Sequence, residues 1–245
     1  MLPLRLILAI AIAFYFPIAT AGQYDWVIEK LPKNLGDVDK SAFAVGTIGK
    51  QDFLAMHLNV GTDTPEGFKP ALVFARISKD KTYDPFEVIE LPSLLGLSVQ
   101  IKNESIYIRL DNAHHGVYFT TYQFKLQNDG FRLVGIEGQS ITPSNYAGIK
   151  GNIELWEGRS ANLLTSEAIF WAEAFDLDKP YEWKQWEKAL KRHDQGLPSA
   201  KAKTRKVRLK LNSRWYLEQF DPYDFREDFL CHYFDHNLKF HNSCK

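Results

Sequence analysis

From position 41 to position 174 the apolar residues recur mainly at every second position, and short turn-forming clusters interrupt them. A period of two puts alternate side chains on opposite faces, which suits a half-buried strand and not a helix. Ser105-Ile106-Tyr107-Ile108-Arg109-Leu110 alternates after Val99-Gln100-Ile101, with Lys102-Asn103-Glu104 as turn chemistry between them. A second hairpin signal follows: residues 117–126 are rich in Tyr, Phe and Thr, Asn128-Asp129-Gly130 makes a tight turn, and residues 131–136 return. Asp-Gly between two such runs marks a hairpin because glycine takes positive φ at little cost. Further strands are expected at 43–48, 53–60, 72–77, 86–91, 152–156, 161–164, 168–174 and 207–211. About a dozen short strands predict a mainly β chain, an antiparallel sandwich or an irregular barrel or propeller-like assembly. No repeat of fixed period is present, which disfavours a regular propeller.

Helix is expected only late, as a short helical C-terminal segment. In 180–192, Trp183, Trp186 and Leu190 recur at three and four with charged residues between them, and Gly196 and Pro198 stop the pattern. From Asp221 onward Pro222 suits a first helical turn, and Phe225, Phe229, Tyr233 and Phe234 form an apolar stripe. The chain is therefore divided into residues 1–21, a β domain over 22–179, and a segment over 180–245 that packs on it. That segment comprises a helix, a basic strand and a helical, disulfide-closed tail.

The first twenty-one residues have the layout of a secretory signal peptide. Arg5 supplies the positive start, residues 6–16 are apolar, Pro17 breaks the run, and Ala19-Thr20-Ala21 offers small residues for cleavage before Gly22. The apolar run is short for a membrane span, and nothing later resembles a transmembrane helix. The expectation is a periplasmic or secreted protein. In an oxidising compartment Cys231 and Cys244, the two cysteines of the chain, are expected to form a disulfide. Closing a loop of roughly 15 residues contributes about 3 kcal/mol in the chain-entropy description.

One stretch carries a resemblance. Tyr122-Gln123-Phe124, Asn128-Asp129-Gly130-Phe131-Arg132-Leu133-Val134-Gly135, Ser160-Ala161-Asn162-Leu163-Leu164-Thr165 and Leu217-Glu218-Gln219-Phe220-Asp221 fall within residues 119–225, about 107 of 245. This stretch resembles a group of exported bacterial proteins of uncharacterised function, in which a Phe-x-Leu-x-Gly strand precedes a Ser-x-Asn-x-Leu-Thr-Gly strand and turn. Ser166 stands here where that pattern has Gly. The resemblance implies a bacterial, periplasmic, β-rich protein and attaches no chemistry.

Nucleophile and phosphate motifs fail on inspection. Gly96-Leu97-Ser98-Val99-Gln100 and Gly158-Arg159-Ser160-Ala161-Asn162 begin like a Gly-x-Ser-x-Gly elbow but lack the closing glycine that permits the sharp turn. Phosphate-loop, dinucleotide and His-Glu-x-x-His signatures are missing. Asp176-Leu177-Asp178 lacks the glycine and distal Glu of a calcium loop and reads as a helix-initiating turn. The candidate metal ligands are His232, His236 and His241: on a helix the first two would share a face at i and i+4, as a divalent ion requires. Their spacing matches no standard zinc signature, so the reading without a cofactor is preferred and a divalent metal is the alternative.

Thirty Lys and Arg balance thirty Asp and Glu, yet the balance is uneven along the chain. Residues 184–214 hold eleven Lys/Arg against two Asp/Glu, whereas residues 215–245 hold three against six. Lys201, Lys203, Arg205, Lys206, Arg208, Lys210 and Arg214 form the densest run. Its plain reading is a strand with cations facing solvent, since lysine on an edge deters edge pairing. Its functional reading is a face for an acidic protein or an anionic envelope component, nucleic acid being poorly matched to an exported chain. The expectation is an exported non-catalytic binding protein, of inhibitor, immunity or envelope-associated type. The alternative from another class is a metal-dependent hydrolase built on the C-terminal His cluster.

Overall fold

The protein is described by a computed structural model covering residues 37–61, 68–80, 82–90, 96–112, 117–143, 152–193, 201–210, 215–217, 220, 232–235 and 237–242. Residues 1–21, read above as a signal peptide, and Cys231, Cys244, His236, Arg214 and the stretch 221–231 with its expected helix start lie outside the described residues.

Strands β1 (Asp37–Ile48), β2 (Gln51–Gly61), β3 (Phe68–Ile77) and β4 (Tyr83–Glu90) form a four-stranded sheet in chain order. Strands β5 (Gly96–Lys102), β6 (Ser105–Asn112), β7 (Val117–Gln127), β8 (Gly130–Pro143), β9 (Ile153–Asn162), β10 (Glu167–Asp176) and β11 (Lys203–Arg208) form a second sheet, again in chain order. Every neighbouring pair is antiparallel, so the chain is a mainly β meander, as its alternation predicts. Helix α1 (Pro180–His193) connects β10 to β11, and β12 (His232–Phe234) pairs with β13 (Phe240–Asn242) as a separate hairpin. Among the described residues no helix is long and apolar enough to cross a membrane.

Both expected hairpin turns form. Lys102 pairs with Ser105 across Asn103 and Glu104, whose φ values of 50° and 59° suit a two-residue turn twisted like its strands. Gln127 pairs with Gly130 across Asn128 and Asp129. Glu104 also reaches the first sheet: its carboxylate accepts the Gly49 N–H at 2.6 Å. There β1 and β5 approach so closely that a Cβ on Gly46 would lie 2.5 Å from the Ile101 carbonyl oxygen.

The sheets meet over one core. Phe53, Ala55, Leu72 and Phe74 of the first sheet join Ile106, Ile108, Phe124, Leu133 and Ile136 of the second, and the Phe53 and Phe131 rings pack edge to face at 5.3 Å. Burying each large side chain of this kind is worth about 1.5–3 kcal/mol. The first sheet is buried on its other face as well, where Leu54, Met56, Val73 and Ala75 cluster. That double burial explains why residues 53–56 are a continuous apolar run instead of an alternating one. On the outer face of the second sheet, α1 packs over Trp156, Trp171 and Phe175, with both the Trp156 and Trp186 indoles donating to Glu154.

Three local expectations need correction. Residues 152–156 and 161–164 are not two strands but parts of one strand, β9, followed by a turn. Gly158 lies inside that strand and is needed there because the Trp171 indole occupies the space of its missing Cβ, 2.1 Å from where that atom would be. The basic strand begins earlier than 207, at Lys203, because β10 offers it a ladder that outweighs its polarity. This strand continues the main sheet as its edge. Finally, Tyr233 and Phe234 lie on a strand and not on the expected helix, their pairing with His241 and Phe240 setting a period of two.

The turn after β9 is held by Asn162, whose Oδ1 accepts the Leu164 and Thr165 N–H groups at 3.0 and 3.2 Å. Ser166 then takes φ 57°, the left-handed region in which a side chain costs roughly 1–2 kcal/mol. Ser166→Gly is expected to stabilise the protein by about 0.5–1 kcal/mol, glycine's greater unfolded-state freedom offsetting the rest. Gly158→Ala is expected to cost about 1–3 kcal/mol by displacing Trp171. Urea midpoints measured at constant slope check both.

Candidate functional site

Strand β11 lies at the edge of the seven-stranded sheet, bonded to β10 and to no second strand among the described residues. Register sorts its side chains, because directly opposed residues share a face. Lys203, Arg205 and Val207 oppose Ala172, Phe170 and Ala168 on the core side. Thr204, Lys206 and Arg208 oppose Trp171, Ile169 and Glu167 on the outer side. Every residue of β11 except Val207 is exposed. Leu209 then turns into the core, its N–H donating to the Ser166 carbonyl at 2.8 Å, and Lys210 is exposed again.

The expected basic face is thus brought together, but its members differ in use. The Lys201 ammonium donates to Gln185 on α1 at 3.1 Å. The Lys203 ammonium is 3.5 Å from the Leu238 carbonyl oxygen, and the Arg205 guanidinium sits 6.0 Å from the Phe240 ring centroid. These two core-side cations therefore face the C-terminal hairpin. Arg205, Lys206, Arg208 and Lys210 make no ion pair among the described residues. Ile169, beside Lys206, is 41% exposed and adds an apolar surface that the charge count gave no hint of.

The hairpin docks by aromatic packing. His232 is buried and stacks on Phe170 at 5.4 Å, while Phe240 packs on both Phe170 and Phe234. His241 lies on the opposite face, stacked on Tyr233, with its Nε2 2.7 Å from Asp235 Oδ2. His232 thus lies on a strand and not on the expected helix, and that strand turns His232 and His241 to opposite sides, while His236, its expected partner at i+4, lies outside the described residues. Among the described residues no three His, Cys, Asp or Glu are grouped as a metal would need. Asp176 serves the helix start: its side chain accepts the Asp178 N–H and pairs with Lys179, which holds its carboxyl below the usual range.

Two carboxyls that composition could not single out hold the hairpin. Asp235 accepts from the Asn237 and Lys239 N–H groups, both at 2.9 Å. His241 first, then these N–H groups, bring its pKa down to about 2. Glu157, on the core face of β9, accepts the Phe234 N–H at 3.2 Å. Burial raises its pKa, with the Phe234 N–H and the Arg159 charge pulling partly back. Compared with known proteins, the chain matches no family model, no curated protein and no solved structure.

These shifts have opposite signs in pH. The Asp235 contribution is present above its ordinary value of 3.8 and is lost as pH falls towards about 2. The Glu157 contribution is full below its ordinary value of 4.5 and is lost as pH rises through the raised value. Asp235→Asn is expected to speed exchange of the Asn237 and Lys239 amides at neutral pH and to abolish its acid dependence. Glu157→Gln keeps an acceptor for Phe234 and should remove the fall in stability above pH 4.5. Amide exchange and urea midpoints against pH measure the two effects.

Proposed function

We propose that the protein is an exported, non-catalytic binding protein that holds an acidic partner against the basic edge of its seven-stranded sheet. The observation that carries this reading is the set Arg205, Lys206, Arg208 and Lys210: four exposed cations, side by side, with no ion pair to a carboxylate among the described residues. Like charges held together in one strand repel, and an acidic partner relieves that repulsion as it binds. The signal-like N-terminus and the resemblance of residues 119–225 support an envelope or extracellular setting. An inhibitor or immunity-type role and an envelope-assembly role both fit such a face.

Binding of this kind responds steeply to salt. Affinity for a polyglutamate probe is expected to fall at least about tenfold between about 10 mM and about 300 mM ionic strength, as the screening length drops from about 30 Å to less than about 8 Å. Lys206→Glu/Arg208→Glu should remove binding at low salt while leaving the urea midpoint within experimental error. Equal affinity at both ionic strengths, or full binding by the charge-reversed variant, rejects the basic edge as the contact.

A further inference from the structure

The main chain of β11 offers more than charge. Leu209 donates its N–H to Ser166, and it stands opposite that residue in the register that pairs Arg208 with Glu167. Opposed pairs in an antiparallel ladder alternate between exchanging two hydrogen bonds and exchanging none. Val207, Arg205 and Lys203 are therefore bonded to β10, and Thr204, Lys206 and Arg208 aim their N–H and C=O groups away from the sheet. An edge with outward main-chain groups is a template for an added strand.

Charge decides which strand can use it. A second copy pairing antiparallel on β11 through the same outward groups would set Lys206 against Lys206, with the Arg208 of each strand diagonal to it on the same face, so that like charges crowd together. The arrangement that discourages self-addition favours a strand of opposite sign. The required pattern follows from Lys-Thr-Arg-Lys-Val-Arg: acids opposite positions 203, 205, 206 and 208, and uncharged residues opposite Thr204 and Val207. Because cations project from both faces of β11, the added strand must carry acids on both faces as well.

We infer that β11 receives an extended acidic segment of another protein as an antiparallel eighth strand, bonded through the outward main-chain groups of Thr204, Lys206 and Arg208. This rests on the acidic-partner reading above and specifies how the partner is held.

The test uses the full chain and an acetylated hexapeptide, Glu-Val-Glu-Glu-Thr-Glu, which matches β11 in antiparallel register. In that register its first, third and fifth residues lie opposite Arg208, Lys206 and Thr204 and bond to them. N-methylation at those three should weaken binding by about tenfold or more, whereas N-methylation at the second, fourth and sixth should change it less than about twofold. On the protein side, Thr204→Pro removes an outward N–H that β10 does not use and leaves every charge in place. It should lose affinity by a similar factor, with Thr204→Val close to wild type. Equal affinities for the two methylated peptides overturn strand addition and leave electrostatic binding standing, and this comparison decides even if Thr204→Pro does not fold. Failure of the unmodified peptide to bind at low salt overturns strand addition and the acidic-partner reading together.

Discussion

The indole of Trp171 lies in the space that a side chain at position 158 would fill, and the C-terminal part of the structure is arranged around that contact. It locks β10 onto β9 in a register that sends Phe170 inward and Trp171 outward. The outward ring becomes part of the surface on which α1 packs, and the inward ring becomes the platform for His232 and Phe240. β10 is thereby held from both faces and along one edge. Its remaining edge is fixed in place and available to β11, which contributes little apolar surface of its own. A strand so polar forms a ladder because its partner is already immobilised, so much of the entropy of ordering is met elsewhere.

The same geometry divides the cations by use. Core-side Lys203 and Arg205 lie against the Leu238 carbonyl and the Phe240 ring, and their stems help cover the docked hairpin. Outer-side Lys206 and Arg208 meet no such structure and stand beside an exposed isoleucine. Edge lysines that only deter aggregation need no particular facing. Here the facing separates cations that also support the fold from cations that only face solvent, and that separation is why the outer pair are the side chains whose charge can be reversed at little cost in stability.

How much of this was legible in the sequence depended on how local its cause is. Asn103-Glu104 and Asn128-Asp129-Gly130 announced their hairpins because turn geometry is decided within four residues. The strands at 53–60 and 105–110 were likewise legible, but not that both faces would be covered: Phe53 to Met56 are all buried, and so are Ser105 and Tyr107 opposite the face of Ile106 and Ile108. The need for glycine at 158 was not legible because its reason is a ring on the next strand, thirteen positions away. Tyr233 and Phe234 misled because adjacent aromatics fit a helical stripe and a strand equally well until Phe240 and His241 are placed opposite them. The basic run was visible as a count, but which of its members remain unpaired was not, since Gln185 and Leu238 reach Lys201 and Lys203 only in the folded chain.

Net charge is the wrong quantity for judging what such a chain can bind. Its zero is a sum over 245 residues, whereas at physiological ionic strength a partner senses charge only within about 8 Å. Six residues of extended strand span about 20 Å at roughly 3.4 Å each, so a segment lying along β11 is near several of its cations at every point. The acidic residues that balance the total act on that segment only where the fold brings them within a screening length. In the described structure the carboxylate facing these cations by register is Glu167, opposite Arg208, and it makes no salt bridge there. One carboxylate among so many cations leaves a surplus at the edge, and that local surplus, set by the register of β10 and β11, is the charge that an anionic segment placed there would meet.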